Sequence, residues 1–339
     1  MRLRHLVPLL TAAALAVPAT AAVQAAPVRP AVTAQRADGL TTHVLVISVD
    51  GLNPAGLRTL GAGRLPSFYR LIDDGASTLN ARTEVERTET LPDHVGMVTG
   101  RRVAANRGGH GVTWNDGRDR TVQQGAGHPV ASVFTQVHAA SGSTAVFASK
   151  AKFSIFERSW PGAIDRSLTV DDEARVVKAA RADLRTHQRA FTFLHLARVD
   201  RAGHRDGFLS AGYLSALRKV DREIGSVLNT IEATPALADT IVILTSDHGG
   251  AKGAHNHTNP RVPDNYIVPF VVWGRDISTR DLYQINPDYL DPVRRRPGYD
   301  ANRQPVRNGD VANLALGLLG LGPVPGSELD AEQDLDIVY

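Results

Sequence analysis

Three aspartates stand at or just beyond the ends of apolar, β-branched runs. His43–Val49 runs into Asp50, Phe191–Leu196 leads to Asp200, and Thr240–Thr245 leads to Asp247. Such runs read as strands buried on both faces. In open α/β sheets ligands bind beyond the carboxyl ends of the strands. Three carboxylates gathered there repel one another unless a cation compensates. Histidines accompany two of them. His204 lies four residues after Asp200, the spacing that puts both side chains on one face of a helical turn. His248 adjoins Asp247, and His255 and His257 come soon after. Mixed Asp/His ligands without sulfur suit catalytic zinc, with manganese or iron as alternatives. The chain has no cysteine, which excludes disulfides, Cys-ligated zinc, iron–sulfur clusters and a cysteine nucleophile.

A metal-assisted hydrolytic site often needs an oxygen nucleophile. Thr90 opens the stretch Thr90-Leu-Pro92-Asp93-His94, which precedes the apolar Val95–Val98. Pro92 suits the first turn of a helix. Thr90 then sits at the helix entrance, where backbone N–H groups and the dipole favour phosphate. A threonine hydroxyl is a poor nucleophile until a metal lowers its pKa. A plain helix N-cap is the other role for this residue.

The elements that position these residues alternate. Besides the three runs, Thr144–Ala148 reads as a strand, and Ile267–Trp273 reads as an edge or irregular strand because of Pro269. Apolar residues at helical spacing between Phe208 and Ile231 predict a long helix, and Pro66–Asp73, Pro129–Ala140 and Asp171–Arg185 predict others. Alternating buried strands and helices predict an α/β protein with a mainly parallel central sheet. Segments 101–127 and 278–308 read as irregular, and the first is a candidate for substrate contact.

The 339 residues are 42% hydrophobic and 22% charged, an ordinary globular composition. At the N-terminus, Arg2, Arg4 and His5 precede an apolar stretch and then small residues up to Ala26. This predicts a signal peptide over 1–26, a Pro/Ala-rich flexible lead-in over 27–40 and one catalytic domain over 41–339, hence a secreted or extracytoplasmic protein. Cleavage removes two arginines and no acid, so the formal +3 is partly a property of the leader. That charge gives no argument for a nucleic-acid partner. No other segment is long and apolar enough to predict a membrane anchor, and no protein partner is evident.

In order, Val-Asp50-Gly, Thr90-Leu-Pro-Asp-His with Met97-Val-Thr-Gly100, Asp200-x-x-Gly-His204 and Ser-Asp247-His248-Gly-Gly-x-x-x-x-His255 resemble the alkaline phosphatase superfamily. They are most similar to its nucleotide pyrophosphatase/phosphodiesterase branch, and they span residues 43 to about 274. The resemblance implies an alkaline-phosphatase-like core with helices on both sheet faces and a site for two divalent metals, usually zinc. Asp50, Thr90, Asp247 and His248 match the ligands of the metal that activates the nucleophile. Asp200, His204 and His255 match those of the second, His255 being preferred to His257 by the spacing of the motif. Thr90 is the implied nucleophile, passing through a phosphothreonine intermediate, and the implied substrate is a small phosphate ester, a phosphodiester or nucleotide pyrophosphate.

The position after the proline is commonly Asn in that branch and is Asp93 here, where a carboxylate repels phosphate oxygens unless protonated or turned away. Asp93, Trp114, Asn115 and Lys150 are the candidate substrate contacts, with Lys152, Arg101 and Arg102 as further cations. A phosphomonoesterase on the same core and a non-catalytic binding relative are the rival readings. A sulfatase is disfavoured, because Thr90 and His94 occupy positions where that chemistry needs Cys or Ser and Arg.

Overall fold

Val44–Val49 (β1) alternates its side chains between two apolar layers: Val44 and Val46 face one, Leu45, Ile47 and Val49 the other. The computed structural model describes residues 41–117 and 119–338; the expected leader and lead-in lie outside them. β1 is the centre of a seven-stranded sheet with Ala76–Arg82 (β2), Thr144–Ala148 (β3), Arg166–Thr169 (β4), Phe191–Leu196 (β5), Ile241–Thr245 (β6) and Ile267–Trp273 (β7), in the order β2-β7-β6-β1-β5-β3-β4. The five strands from β6 to β4 are parallel, and β7 runs antiparallel to both its neighbours.

Helices cover both faces, as the strand patterns require. Pro54–Leu60 (α1), Pro66–Asp73 (α2), Glu173–His187 (α5) and Ala211–Glu232 (α7) place Leu57, Phe68, Val176 and Leu217 in the layer of Leu45 and Ile47. Thr90–Thr99 (α3), Val133–Ala139 (α4) and Val311–Leu318 (α8) place Leu91, Phe134 and Leu314 in the layer of Val44 and Val46. Arg198–Asp206 (α6) comes directly after β5 and carries Asp200. No helix among the described residues is long and apolar enough to cross a membrane.

Pro269 does not confine β7 to an edge. β7 lies between β2 and β6, and β2 bulges opposite the proline: Thr78 pairs with Phe270 and Ala81 with Val268, so Leu79 and Asn80 oppose the single Pro269. The missing N–H falls where the ladder is already interrupted. β2 and β4 were not expected from the sequence; their exposed or half-buried positions weaken the apolar signal.

Helix α2 begins at a leucine N-cap that offers no side-chain bond. Asp221, on α7, supplies it: its Oδ1 accepts the N–H groups of Ser67 at 3.0 Å and Phe68 at 2.9 Å. Replacing Asp221 by Ala removes a helix cap supplied from a distant segment and is expected to destabilise the fold by about 1–2 kcal/mol. A lowered urea midpoint at unchanged m-value checks this.

Candidate active site

The carboxyl ends of β5, β1 and β6 are neighbours, so Asp200, Asp50 and Asp247 meet. Asp50 comes directly after β1 and is fully buried, as is Asp247 after β6. Asp200 sits in the first turn of α6, whose axis places His204 one turn further. Gly51 adopts φ +73°, and a Cβ there would stand 3.0 Å from the Asp200 backbone, so only glycine lets these two strand ends close up.

Two groups of potential metal ligands result: Asp50, Asp247 and His248, and Asp200, His204 and His257. His248 Nε2 lies 3.4 Å from Asp50 Oδ1, 3.2 Å from Asp247 Oδ2 and 4.0 Å from Asp200 Oδ1, so the groups adjoin. His257 Nε2 lies 3.6 Å from Asp200 Oδ1 and 3.2 Å from His204 Nε2. The structure therefore puts His257, not His255, in the second group. Within the turn after β6, His255 is exposed and directs its Nδ1 to the backbone oxygen of His204 at 2.9 Å. The chain needs two more residues to bring an imidazole back over the His248 ring, on which His257 stacks at 3.4 Å.

The hydrogen bonds fix what the ligand atoms can do. Nδ1 of His248, His204 and His257 each faces a backbone carbonyl, of Gly249, His255 and Thr88 respectively. Donation from Nδ1 leaves the Nε2 lone pairs turned into the site, the tautomer that ligates metals. Asp50 Oδ1, Asp200 Oδ1, Asp247 Oδ2 and His248 Nε2 are buried without a hydrogen-bond partner. These four atoms belong to the two groups, and buried polar atoms are seldom left unpaired. The donor set fits two dications.

The charges agree. Burial pushes the Asp247 carboxyl up to about 7, with the nearby Asp50 adding to it. Burial opposes charge on His248 too, but Asp247, Asp50 and Asp200 together outweigh it and raise the imidazole to about 10. Asp50 stays well below the usual range despite burial, because Lys150, His195 and His248 hold its charge.

Thr90 is the first residue of α3 and is buried. It is not the N-cap, which is Glu89. His94, one turn on, donates from Nδ1 to the Thr90 carbonyl at 2.6 Å and accepts from Ser48 at 2.8 Å, stapling this turn to β1. Asn115 Oδ1 accepts the Leu91 N–H at 3.0 Å and a bond from Lys152 at 2.9 Å. Lys150 Nζ lies 3.2 Å from Thr90 Oγ1.

Asp93 is turned away from this site. Its oxygens accept the N–H groups of Glu84 at 3.1 Å and Glu89 at 2.9 Å, so it shapes the loop before Thr90 instead of facing into the site. Trp114 packs in the core with the Arg120 guanidinium 4.4 Å over its ring, and no open face remains for a base. Arg101 donates to the carbonyls of Gly108 and Pro325, and Arg102 pairs with Glu86.

Sequence reasoning missed His195. It lies on β5 opposite Ser48 of β1, and its Nε2 donates to Asp50 Oδ2 at 2.8 Å. Burial pushes its imidazole below the ordinary histidine value, against the pull of Asp50. A histidine in the buried run Phe-Thr-Phe-Leu-His-Leu, five before Asp200, was the available signal.

Replacing His257 by Ala is expected to remove one bound metal per chain, whereas the same change at His255 leaves two, measured by elemental analysis of the purified proteins. Replacing His195 by Ala frees the outer oxygen of Asp50. It should weaken divalent-metal binding about 10–100-fold in chelator competition, with Gln restoring part of it.

Comparison with known proteins places this geometry. A family model described as type I phosphodiesterase / nucleotide pyrophosphatase matches residues 44–309. GPI ethanolamine phosphate transferase 1 of Neurospora crassa is 31% identical over 148 residues, 43% of this chain and 14% of the relative. That of Saccharomyces cerevisiae is 26% identical over 151 residues, 42% of this chain and 16% of the relative. The chain thus matches only a small part of those relatives' length. Among solved structures, murine ectonucleotide pyrophosphatase/phosphodiesterase 5 has the same fold, with TM-score 0.60 at 15% identity over 84% of this chain and 96% of that one. An inactive variant of that protein in complex with AMP gives TM-score 0.61 at 14% identity, over 87% and 99%. Fold, motif order and the family match over most of the described residues agree: the chain belongs to the type I phosphodiesterase / nucleotide pyrophosphatase family, within the alkaline phosphatase superfamily.

Proposed function

We propose that the protein is a secreted two-metal hydrolase that cleaves phosphate diesters or nucleotide pyrophosphates through Thr90. The observation that carries this reading is the position of the Thr90 hydroxyl. It opens a helix and is linked through one lysine to Asp50 and Asp200, one carboxylate from each ligand group. Asp50, Asp247 and His248 with Thr90, and Asp200, His204 and His257, would hold two divalent ions, most simply zinc, which when bound supply Lewis-acid charge to the threonine oxygen and the leaving oxygen.

The chain's own part is positioning. The Thr90 Oγ–phosphorus bond forms as the ester P–O bond breaks and the alcohol departs. Water then displaces the threonine oxygen from phosphorus and restores the hydroxyl. His94 fixes the Thr90 carbonyl, and Asn115 fixes the next N–H, so the hydroxyl needs little reorganisation to attack in line. The N-terminal end of α3 adds favourable potential for phosphate.

The supply of cations favours the diester. Arg101 and Arg102 are engaged elsewhere, Lys152 is bonded to Asn115, and Lys150, beside Thr90, is already offset by Asp50 and Asp200. A monoester dianion asks for more positive charge than a diester does. The leader sequence, with its basic start and small residues before Ala26, supports export.

The test compares the zinc-loaded mature chain on bis(nitrophenyl) phosphate, nitrophenyl phosphate and nitrophenyl sulfate. The diester rate is expected to exceed the monoester rate at least about tenfold, with negligible sulfatase activity; a faster monoester overturns the substrate class. Thr90→Ala should keep both metals and lose about 1,000-fold or more in turnover. Because the matched relatives are named as phosphate transferases, the assay is repeated with a primary alcohol present. Alcohol-derived phosphodiester in excess over hydrolysis would make the protein a transferase.

A further inference from the structure

Lys150 does not behave as a surface lysine. Its side chain is only 12% exposed, and its Nζ lies 2.6 Å from Asp50 Oδ2, 2.7 Å from Asp200 Oδ2 and 3.2 Å from Thr90 Oγ1. The ammonium donates to Asp200 Oδ2 and Thr90 Oγ1 and is ion-paired with Asp50. Each carboxylate thereby divides its oxygens. The outer Oδ2 goes to the lysine, and the inner Oδ1 stays unpaired in its ligand group.

The base from which this side chain extends is fixed. Ser149, one residue earlier, gives its N–H to the His195 carbonyl at 3.2 Å and accepts the Ala197 N–H on Oγ at 2.7 Å. Its Oγ lies 3.3 Å from Glu173 Oε2, and its carbonyl accepts from the Arg201 guanidinium. Downstream, the Lys150 carbonyl closes a tight turn with the Phe153 N–H at 3.2 Å. A long, entropic side chain held at both ends of its backbone and at its tip is a built component of the site.

We propose that Lys150 is a catalytic residue, a resident third cation that stabilises negative charge on the Thr90 oxygen as the threonine–phosphorus bond forms and breaks. This rests on the reading of Thr90 as nucleophile. As an ammonium hydrogen-bonded to Asp200 and Thr90 and ion-paired with Asp50, Lys150 has no lone pair with which to accept the hydroxyl proton. It is therefore an electrostatic stabiliser and not the base. Its bond to the nucleophile's oxygen also turns the hydroxyl hydrogen elsewhere, which leaves a lone pair directed away from the lysine.

The experiment uses the zinc-loaded protein and its Lys150→Met, Lys150→Arg, Thr90→Ala and Thr90→Ala/Lys150→Met variants. Thermal melts and metal content are measured first, then kcat and KM on bis(nitrophenyl) phosphate. Lys150→Met is expected to melt as a folded protein, to keep two zinc ions, and to lose about 100-fold in kcat with a smaller change in KM. Lys150→Arg should recover part of the rate. In the Thr90→Ala background, removing Lys150 should cost nothing further, because the charge it stabilises no longer forms.

Lys150→Met within about twofold of the parent overturns the inference while leaving Thr90 as nucleophile if Thr90→Ala is inactive. Loss of zinc in both Lys150 variants overturns it in favour of a ligand-positioning role. Turnover retained by Thr90→Ala but lost in Lys150→Met overturns it together with the nucleophile reading.

Discussion

Three carboxylates buried at adjoining strand ends are the constraint on which this site turns. β1 is flanked by β5 on one side and β6 on the other, all parallel. Neighbouring strands lie about 4.8 Å apart, so residues leaving their carboxyl ends cannot avoid each other. The apolar layers that bury β1 also strip water from Asp50 and Asp247. Such a cluster folds only if positive charge and donors reach it, because a buried carboxylate without partners is costly.

The compensation comes from outside the cluster and stops short of its interior. Asp50 Oδ2 receives His195 and Lys150. Asp247 Oδ1 receives the N–H groups of Gly51 at 3.1 Å and His248 at 3.0 Å. Asp200 Oδ2 receives Lys150. The remaining oxygen of each carboxylate has no donor. One oxygen of each aspartate is therefore structural, orienting the carboxylate, and the other is left to a ligand. The histidines obey the same division, with Nδ1 on a carbonyl and Nε2 turned inward.

Much of this was legible in the sequence because it depends on strand ends. Buried parallel strands are continuous apolar runs, and the polar residues just past their ends stand out against them; Asp50, Asp200 and Asp247 were found that way. The readings that failed depend on loop geometry. The choice between His255 and His257 turns on how the chain curls after Gly250, which spacing does not encode. Asp93 reads as a residue facing the substrate until the loop before it is seen folding back on both its oxygens. His195 was hidden because a histidine inside an apolar strand has no motif of its own. Pro269 misled because the compensating bulge lies on β2, remote in sequence.

The loop before Thr90 explains why the C-terminal segment matters to a site it does not line with ligands. Thr88 and Thr90 are two residues apart, and the first holds His257 through its carbonyl while the second is the proposed nucleophile. Any shift of this loop moves His257 and Thr90 together. Its position is set from the far end of the chain. The Val85 N–H donates to the Tyr299 hydroxyl at 3.0 Å, and Arg307 donates to the Thr83 carbonyl at 3.3 Å. Tyr299 in turn lies between the guanidinium groups of Arg102 and Arg307, 4.2 and 5.0 Å from its ring. Asn308 bonds the carbonyls of Ser246 and Asp247, at 3.1 and 3.3 Å. The segment over 278–308 that read as irregular therefore ties the loop before Thr90 to the end of β6. Its irregularity is what lets one stretch of chain reach both.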